Sequence, residues 1–194
     1  MSYAIYETDA IICAMYPTRE RALSLSLLTR ELGFLRARAE GVRTSESKMR
    51  SNLTSYAHVS VSLVRGRHEW RVVGVRSLSS FAPVFASHQK ARCAVRIIQL
   101  YARLIPDEAT GHGVLFDDLV AGFLLMQEHG ISYEAIEILL VVRALSRLGY
   151  LPHDIVLEHL LRDDCSLDSL ISKAHAVRPH AIPVINQALS GTQL

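Results

Sequence analysis

Leu23-Ser24-Leu25-Ser26-Leu27 and, beyond a glycine at position 33, Leu35-Arg36-Ala37-Arg38-Ala39-Glu40 are two runs in which apolar and polar residues alternate. A period of two sends one set of side chains to each face of an extended strand, whereas a helical face repeats every three to four residues. The two runs therefore read as adjacent half-buried strands, with Gly33 at the tight connection between them. Working outward, Ala57, Val59, Val61 and Leu63 alternate with His58, Ser60 and Ser62 in the same way. Ala10–Met15 is a short apolar run that serves as a strand before this pair, and Trp70–Val75 follows as a fifth.

The punctuation agrees with five strands. Tyr16–Arg21, containing Pro17, is read as the link between the first two, and Arg65-Gly66-Arg67 as the hairpin turn between the last two. A longer polar segment, Gly41–Asn52, separates the third from the fourth. Five short strands with one long insertion after the third make the pattern of an OB-fold barrel.

After Ser79 the period changes. Ala94, Ile97, Ile98, Tyr101 and Leu104 share one face of a helical wheel, with Arg92, Arg96, Gln99 and Arg103 opposite. Asp107–Gly113 reads as a polar loop, Val114–Gln127 as a second helix, and Ser132 as the N-cap of a third that is apolar all round at Ile138–Val142. Gly149 and Pro152 end that helix. Asp154–Leu161 and Ser166–Val177 read as shorter helices, and Pro179 and Pro183 as breaks, with Ala181–Leu189 forming a last turn or two. The expected fold is α+β with two domains: a five-stranded OB-fold β-barrel over residues 1–78 and an all-α helical bundle over 79–194.

Composition narrows the classes further. The 194 residues are 49% hydrophobic and 21% charged, which is globular rather than disordered. The longest apolar run, Leu119–Met126, is too short to span a bilayer, and no basic-then-apolar leader opens the chain. The expectation is a cytoplasmic protein without a membrane role. Cys13, Cys93 and Cys165 are odd in number and lack a C-x-x-C pair, so neither a disulfide framework nor a zinc site is expected. Charge is divided: residues 1–78 carry 12 Lys and Arg against 7 Asp and Glu, net +5, and residues 79–194 carry 9 against 12, net −3.

A basic barrel points to polyanions, because each phosphate neutralised releases condensed counterions. Arg36 and Arg38 share the solvent face of one strand, Arg43, Lys48 and Arg50 sit in the long loop, and Arg65, Arg67 and Arg71 cluster at the last hairpin. The aromatics that could stack on bases are Tyr6, Tyr16, Phe34, Tyr56 and Trp70; Phe34 falls on the face of Arg36 and Arg38 and is the best candidate, and Trp70 reads rather as core. In the helical half the Arg92, Arg96 and Arg103 stripe beside an apolar seam is a candidate site for an acidic, aromatic-tipped peptide.

Catalytic constellations do not assemble. Gly111-His112-Gly113 lacks the Lys-Ser/Thr of a phosphate-binding loop, and no G-x-S-x-G or H-E-x-x-H occurs. His153 with His159, or His159 with Asp163, lacks a third ligand for a metal. The expectation is a binding protein, not an enzyme, with no cofactor.

Several local motifs, in order, resemble the RecO family of recombination mediators. They are Thr29-Arg30-Glu31-Leu32-Gly33, Ala39-Glu40-Gly41-Val42-Arg43, Ser47-Lys48-Met49-Arg50 followed by Leu53, and Leu148-Gly149-Tyr150-Leu151-Pro152, with Glu20 before the second strand. The resemblance runs from Thr8 to Pro152. It implies binding of single-stranded and double-stranded DNA, annealing of complementary strands, and loading of RecA together with RecR and the C-terminal tail of the single-stranded-DNA-binding protein. It carries DNA contacts onto Arg43, Lys48 and Arg50. Many members hold a four-cysteine zinc module after the Leu-Gly-Tyr landmark; only Cys165 follows it here, so none is expected. The alternative function is a protein-interaction adaptor whose barrel does not touch DNA.

Overall fold

The computed structural model describes residues 4–19, 22–42, 49–67, 69–162 and 165–191. Strands β1 (Ile5–Arg19), β2 (Ala22–Thr29), β3 (Gly33–Glu40), β4 (His58–Arg65) and β5 (Trp70–Ser79) close into a barrel in the order β1-β2-β3-β5-β4. All pairs are antiparallel except β3–β5, which run parallel from Ala37 opposite Trp70 to Ala39 opposite Val72. The alternation sets the interior: Leu25, Leu27, Leu35, Ala37, Ala39, Val59, Val61 and Leu63 are buried in one core, which Ala10, Ile12, Trp70 and Val72 complete. This is the five-stranded OB-fold barrel expected from the periodicity, followed by helices.

The T-x-E-x-G turn has a physical reason for its residues. The buried Thr29 hydroxyl donates to the Gly33 carbonyl at 2.8 Å and accepts the Leu32 N–H at 3.0 Å, closing the β2–β3 turn on itself. Gly33 has φ +66°, in the left-handed region where a Cβ is costly.

Two expectations for the barrel need correction. The link assigned to Tyr16–Arg21 is strand as far as Arg19. Beyond Ile11, β1 pairs only with β2, so Pro17 lies at a sheet edge where its missing N–H breaks no ladder bond. Register shifts between Ile12 and Ala14 and between Pro17 and Arg19 bend this arm. The second correction concerns the outer surface. Ile11 and Leu28 pair with each other, face away from the barrel core and are nonetheless fully buried. Ile11 also sits opposite His58, whose ring stacks on Phe81 (centroids 5.7 Å apart, planes 3° apart) and lies 5.9 Å from Phe116. The barrel thus has a second apolar layer.

That layer belongs to a discontinuous unit. The first compact unit comprises residues up to Phe81 together with Ile105–Phe116, and the second comprises Ala82–Leu104 and Asp117–Leu194. The sequence places the division between 78 and 79 and gives all of 79–194 to the helices. Instead, the segment read as a polar loop returns to the barrel as a strap. The Glu108 N–H donates to the Phe34 carbonyl at 2.8 Å, Asp107 bridges Phe34 in parallel, and a Cβ on Gly33 would come 2.5 Å from the Ala109 carbonyl oxygen.

The second unit holds α1 (Ala82–Ala86), α2 (His88–Leu104), most of α3 (Gly113–Leu125), α4 (Tyr133–Arg147), α5 (Ile155–Glu158) and α6 (Leu167–Gly191). Ser132 caps α4 as expected, accepting the Ala135 N–H at 3.2 Å. Gly149, with φ +76°, ends it, its N–H donating to the Ser146 carbonyl at 3.0 Å. The apolar run in α4 is its buried centre: Ala135, Ile136, and Ile138 through Leu145. Within α4, Arg143 donates from Nε to the Asp118 carboxylate at 2.8 Å and from a terminal nitrogen to the carbonyls of Leu160 and Arg162. Both members of this ion pair are buried.

The expected break at Pro179 and Pro183 does not occur, and α6 runs through both. The prolines stand four residues apart on the exposed side, while Leu170, Ala174, Ala181 and Ala188 form the buried stripe. Each proline removes one helical hydrogen bond, and both stand at exposed positions. Close packing of the alanine stripe against α4 keeps the axis continuous. The expected helix Asp154–Leu161 shortens to Ile155–Glu158, capped by the Asp154 side chain on the N–H groups of Val156 and Leu157.

Candidate nucleic-acid interface

Cross-strand register decides which side chains can meet on the barrel surface. Tyr16 lies opposite Ser24, Ser24 opposite Arg38, and Arg38 opposite Arg71, which makes one row across β1, β2, β3 and β5. The next row along β2 and β3 pairs Ser26 with Arg36. Inward neighbours on both sides are core, so these rows form an outer face of two hydroxyls, three guanidiniums and one phenol. Arg36 and Arg71 are exposed, and Tyr16 is 61% exposed.

The guanidiniums differ in their freedom. Arg36, Arg67 and Arg71 have no ion-pair partner among the described residues. Arg38 is half-buried, 3.5 Å from Glu69 and 3.4 Å from Glu40; its Nε is buried and makes no aligned hydrogen bond. Arg65 packs over the Trp70 ring, 4.9 Å from its centroid, and is ion-paired to Glu108 of the strap. The same carboxylate accepts the Trp70 Nε1–H at 3.1 Å. These donors, Arg65 first and Trp70 next, hold the Glu108 carboxyl below the usual carboxylate range, so it is ionised. Tyr6 meets Trp70 edge to face at 5.3 Å. Arg67 is exposed at the β4–β5 hairpin, which closes through the Gly66 N–H on the Glu69 carbonyl.

The structure thus brings Arg36 and Arg38 together with Arg71 and sets Arg65 apart beneath the strap. Phe34 shares their face but is half-buried and tied through its carbonyl to Glu108. Tyr16 is the aromatic that this face presents openly. The period-two rule favours Phe34 among the stacking candidates, whereas the strand register places Tyr16 in the arginine row. Arg76, exposed on β5 opposite Ser60, is a further cation that the hairpin cluster did not include. Arg43 and Lys48 lie outside the described residues, as does the side chain of Arg50, whose backbone opens a short 3-10 turn, Arg50–Asn52.

In the helical unit the expected arginine stripe divides. Arg96 makes a two-pronged salt bridge to Glu137 at 2.9 and 2.7 Å. Arg103 and Arg96 both line a groove of about 730 Å³ between α2, α4 and α6, together with the apolar Leu100, Ile138, Val141, Ile182 and Ile185 and the charged Arg178, Glu134 and Glu137. Arg92 lies instead in a shallower recess with His88 and Val95.

Among the described residues no three His, Cys, Asp or Glu side chains gather as a metal site. His153 faces Glu158 at 3.8 Å and His180 contacts Asp154 at 2.8 Å, so the histidines pair with single carboxylates. Burial pushes the Cys13 and Cys93 thiols up to about 12, far from a reactive thiolate. No described helix is long and apolar enough to cross a membrane.

Comparison with known proteins converges on the barrel. The family described as "Recombination protein O N terminal" matches residues 1–81. The DNA repair protein RecO of Heliobacterium modesticaldum is 30% identical over 148 residues, which are 76% of this chain and 53% of that protein. The chain spans about half the length of this curated relative. The matched region ends at Phe81, the residue that covers His58, and leaves the strap outside. The closed barrel and the match over its whole length make residues 1–81 a recombination protein O N-terminal domain, in a chain that is similar to a RecO protein over three-quarters of its length.

Proposed function

We propose that this chain is a recombination mediator in DNA repair, which binds single-stranded DNA, and double-stranded DNA too, on the outer barrel face of Arg36, Arg38 and Arg71 with Tyr16. The observation that carries this reading is the pair of rows that hold Arg36, Arg38 and Arg71: Arg36 and Arg71 have no carboxylate partner among the described residues, Arg38 lies between them with Glu40 and Glu69, and the exposed Tyr16 ring stands in the same row, on a barrel of a family named for recombination. Guanidiniums capture backbone phosphates and release counterions, and the phenol stacks on a base without reading its identity. Arg65 and Arg67 add further exposed cations on the barrel, Phe34 is a half-buried aromatic on the strand of Arg36 and Arg38, and Arg43, Lys48 and Arg50 are candidate contacts carried by the sequence motifs alone. Binding is stoichiometric, so the protein anneals strands and helps load RecA with RecR without a catalytic step. The groove lined by Arg96, Arg103 and Arg178, against Glu134 and Glu137, would take the C-terminal tail of the single-stranded-DNA-binding protein, because its guanidiniums outnumber its carboxylates beside an apolar lining.

Anisotropy of a labelled oligo-dT across a salt series tests the DNA reading. The logarithm of affinity should fall linearly with the logarithm of salt, and Lys48→Glu with Arg50→Glu should weaken binding. Absence of binding at low salt would instead support the adaptor reading. That alternative draws on one observation: Arg38, Arg65 and Arg96 are each already engaged by a glutamate.

A further inference from the structure

The strap places an acidic side chain on a basic corner of the barrel. Glu108 has φ +54°, a backbone conformation that non-glycine residues rarely adopt, and it is held there by its N–H on the Phe34 carbonyl. Its two carboxylate oxygens are divided: Oε1 accepts from the Trp70 indole at 3.1 Å, and Oε2 accepts from the Arg65 guanidinium. Arg65 is in turn stacked on the Trp70 ring. An ionised oxygen pair on a guanidinium that lies over an aromatic ring is the arrangement a nucleic-acid phosphate makes on a single-strand-binding surface. Both partners remain open to solvent, with side-chain exposures of 55% for Arg65 and 44% for Glu108. A solvent-exposed pair of this kind is weak and salt-screened, so a polyanion can displace it.

We propose that Glu108 is a built-in competitor for the DNA backbone: it occupies Arg65 in the free protein and gives way to a phosphodiester of bound single-stranded DNA. This rests on the DNA-binding reading above and adds regulation to it. Trp70 Nε1 needs an acceptor because the ring is buried, and a glutamine oxygen serves that need as well as a carboxylate does. Charge, not the hydrogen bond, is therefore the competing element. The strap is also the connection between α2 and α3, so the displaced residue belongs to the segment that joins two helices of the second unit.

Glu108→Gln separates the roles. The variant should bind oligo-dT about three- to ten-fold more tightly than the wild type at low salt, with a salt slope steeper by about 0.7, the share of one phosphate contact on a single strand. The gain should vanish in an Arg65→Ala background. The sequence contains one tryptophan, so emission from Trp70 should change when the wild-type protein is saturated with oligo-dT and should change less in Glu108→Gln. Equal affinities of wild type and Glu108→Gln, a gain that persists without Arg65, or wild-type emission that does not respond to saturating oligo-dT would each overturn the competitor while leaving the DNA reading standing. If neither protein binds oligo-dT at low salt, the DNA reading fails and the competitor falls with it.

Discussion

Arginine does opposite work in the two units. On the barrel, Arg36 and Arg71 project from strand faces into solvent with no carboxylate partner among the described residues. In the helical unit Arg143 is 4% exposed, and its guanidinium reaches the buried Asp118 and two carbonyls near the end of α5. One surface keeps its positive charge available; the other consumes it to join α3, α4 and the 160–162 segment. The difference is set by the neighbours: Arg36 stands opposite Ser26 and Arg71 opposite Arg38 and Val64, none of them acidic, whereas a buried aspartate faces Arg143. Arginine content alone therefore says little about where a polyanion would bind, and the pairing state says a good deal.

Breaking the buried side should have the largest effect. Arg143→Ala removes the nearer guanidinium from the buried Asp118 and leaves it Arg147 at 3.6 Å. A loss of about 3–5 kcal/mol is expected, read as a lower urea midpoint at unchanged slope. Next in size is Gly33→Ala at the seat of the strap. The left-handed φ and the approach to the Ala109 carbonyl should together cost about 2 kcal/mol. The same melt checks this, and no loss would show that the strap does not rest on the β2–β3 turn.

Arg36→Ala with Arg71→Ala sharpens the comparison from the other side. Stability should stay within about 0.5 kcal/mol of wild type, while oligo-dT affinity falls about ten-fold and the salt slope drops by about 1.4, two single-strand phosphate contacts. The smallest effect is a pH dependence. Glu108 has its carboxyl lowered in the folded state, chiefly by the Arg65 hydrogen bond. Its stabilising contribution is therefore present above the unfolded carboxylate value and is lost as pH falls through the lower folded one. Acid-unfolding curves of wild type and Glu108→Gln should converge as pH drops below about 4, and a constant offset down to the lowest pH would contradict the assignment.

How far the sequence was readable follows from how local each feature is. β3 and β4 could be read from alternation because each side chain's face depends only on its parity. The Ser132 cap and the Gly149 stop were readable for the same reason, their partners lying three residues away. The strap was not, since nothing in Pro106-Asp107-Glu108 says that a chain 74 residues from Phe34 will hydrogen-bond to it. One signal was present and unused: the doublets Ile11-Ile12 and Leu27-Leu28 break the alternation, and two adjacent buried residues in a strand require cover on both faces. Pro179 and Pro183 misled because propensity is local and the packing of Ala174, Ala181 and Ala188 on α4 is not. Of the candidate site, Arg36 and Arg38 were found by parity. Arg71 as their neighbour and Tyr16 in the same row needed the register of three strand pairs.

The discontinuity of the barrel unit also bears on how the protein is made. Synthesis runs from the N-terminus, and domains tend to fold as they emerge. A nascent chain released up to Phe81 already holds all five strands, yet it lacks Glu108 for the Trp70 indole and Phe116 for the His58 layer. The barrel is thus born unfinished, and its last two coverings arrive only after α1 and α2 have left the ribosome.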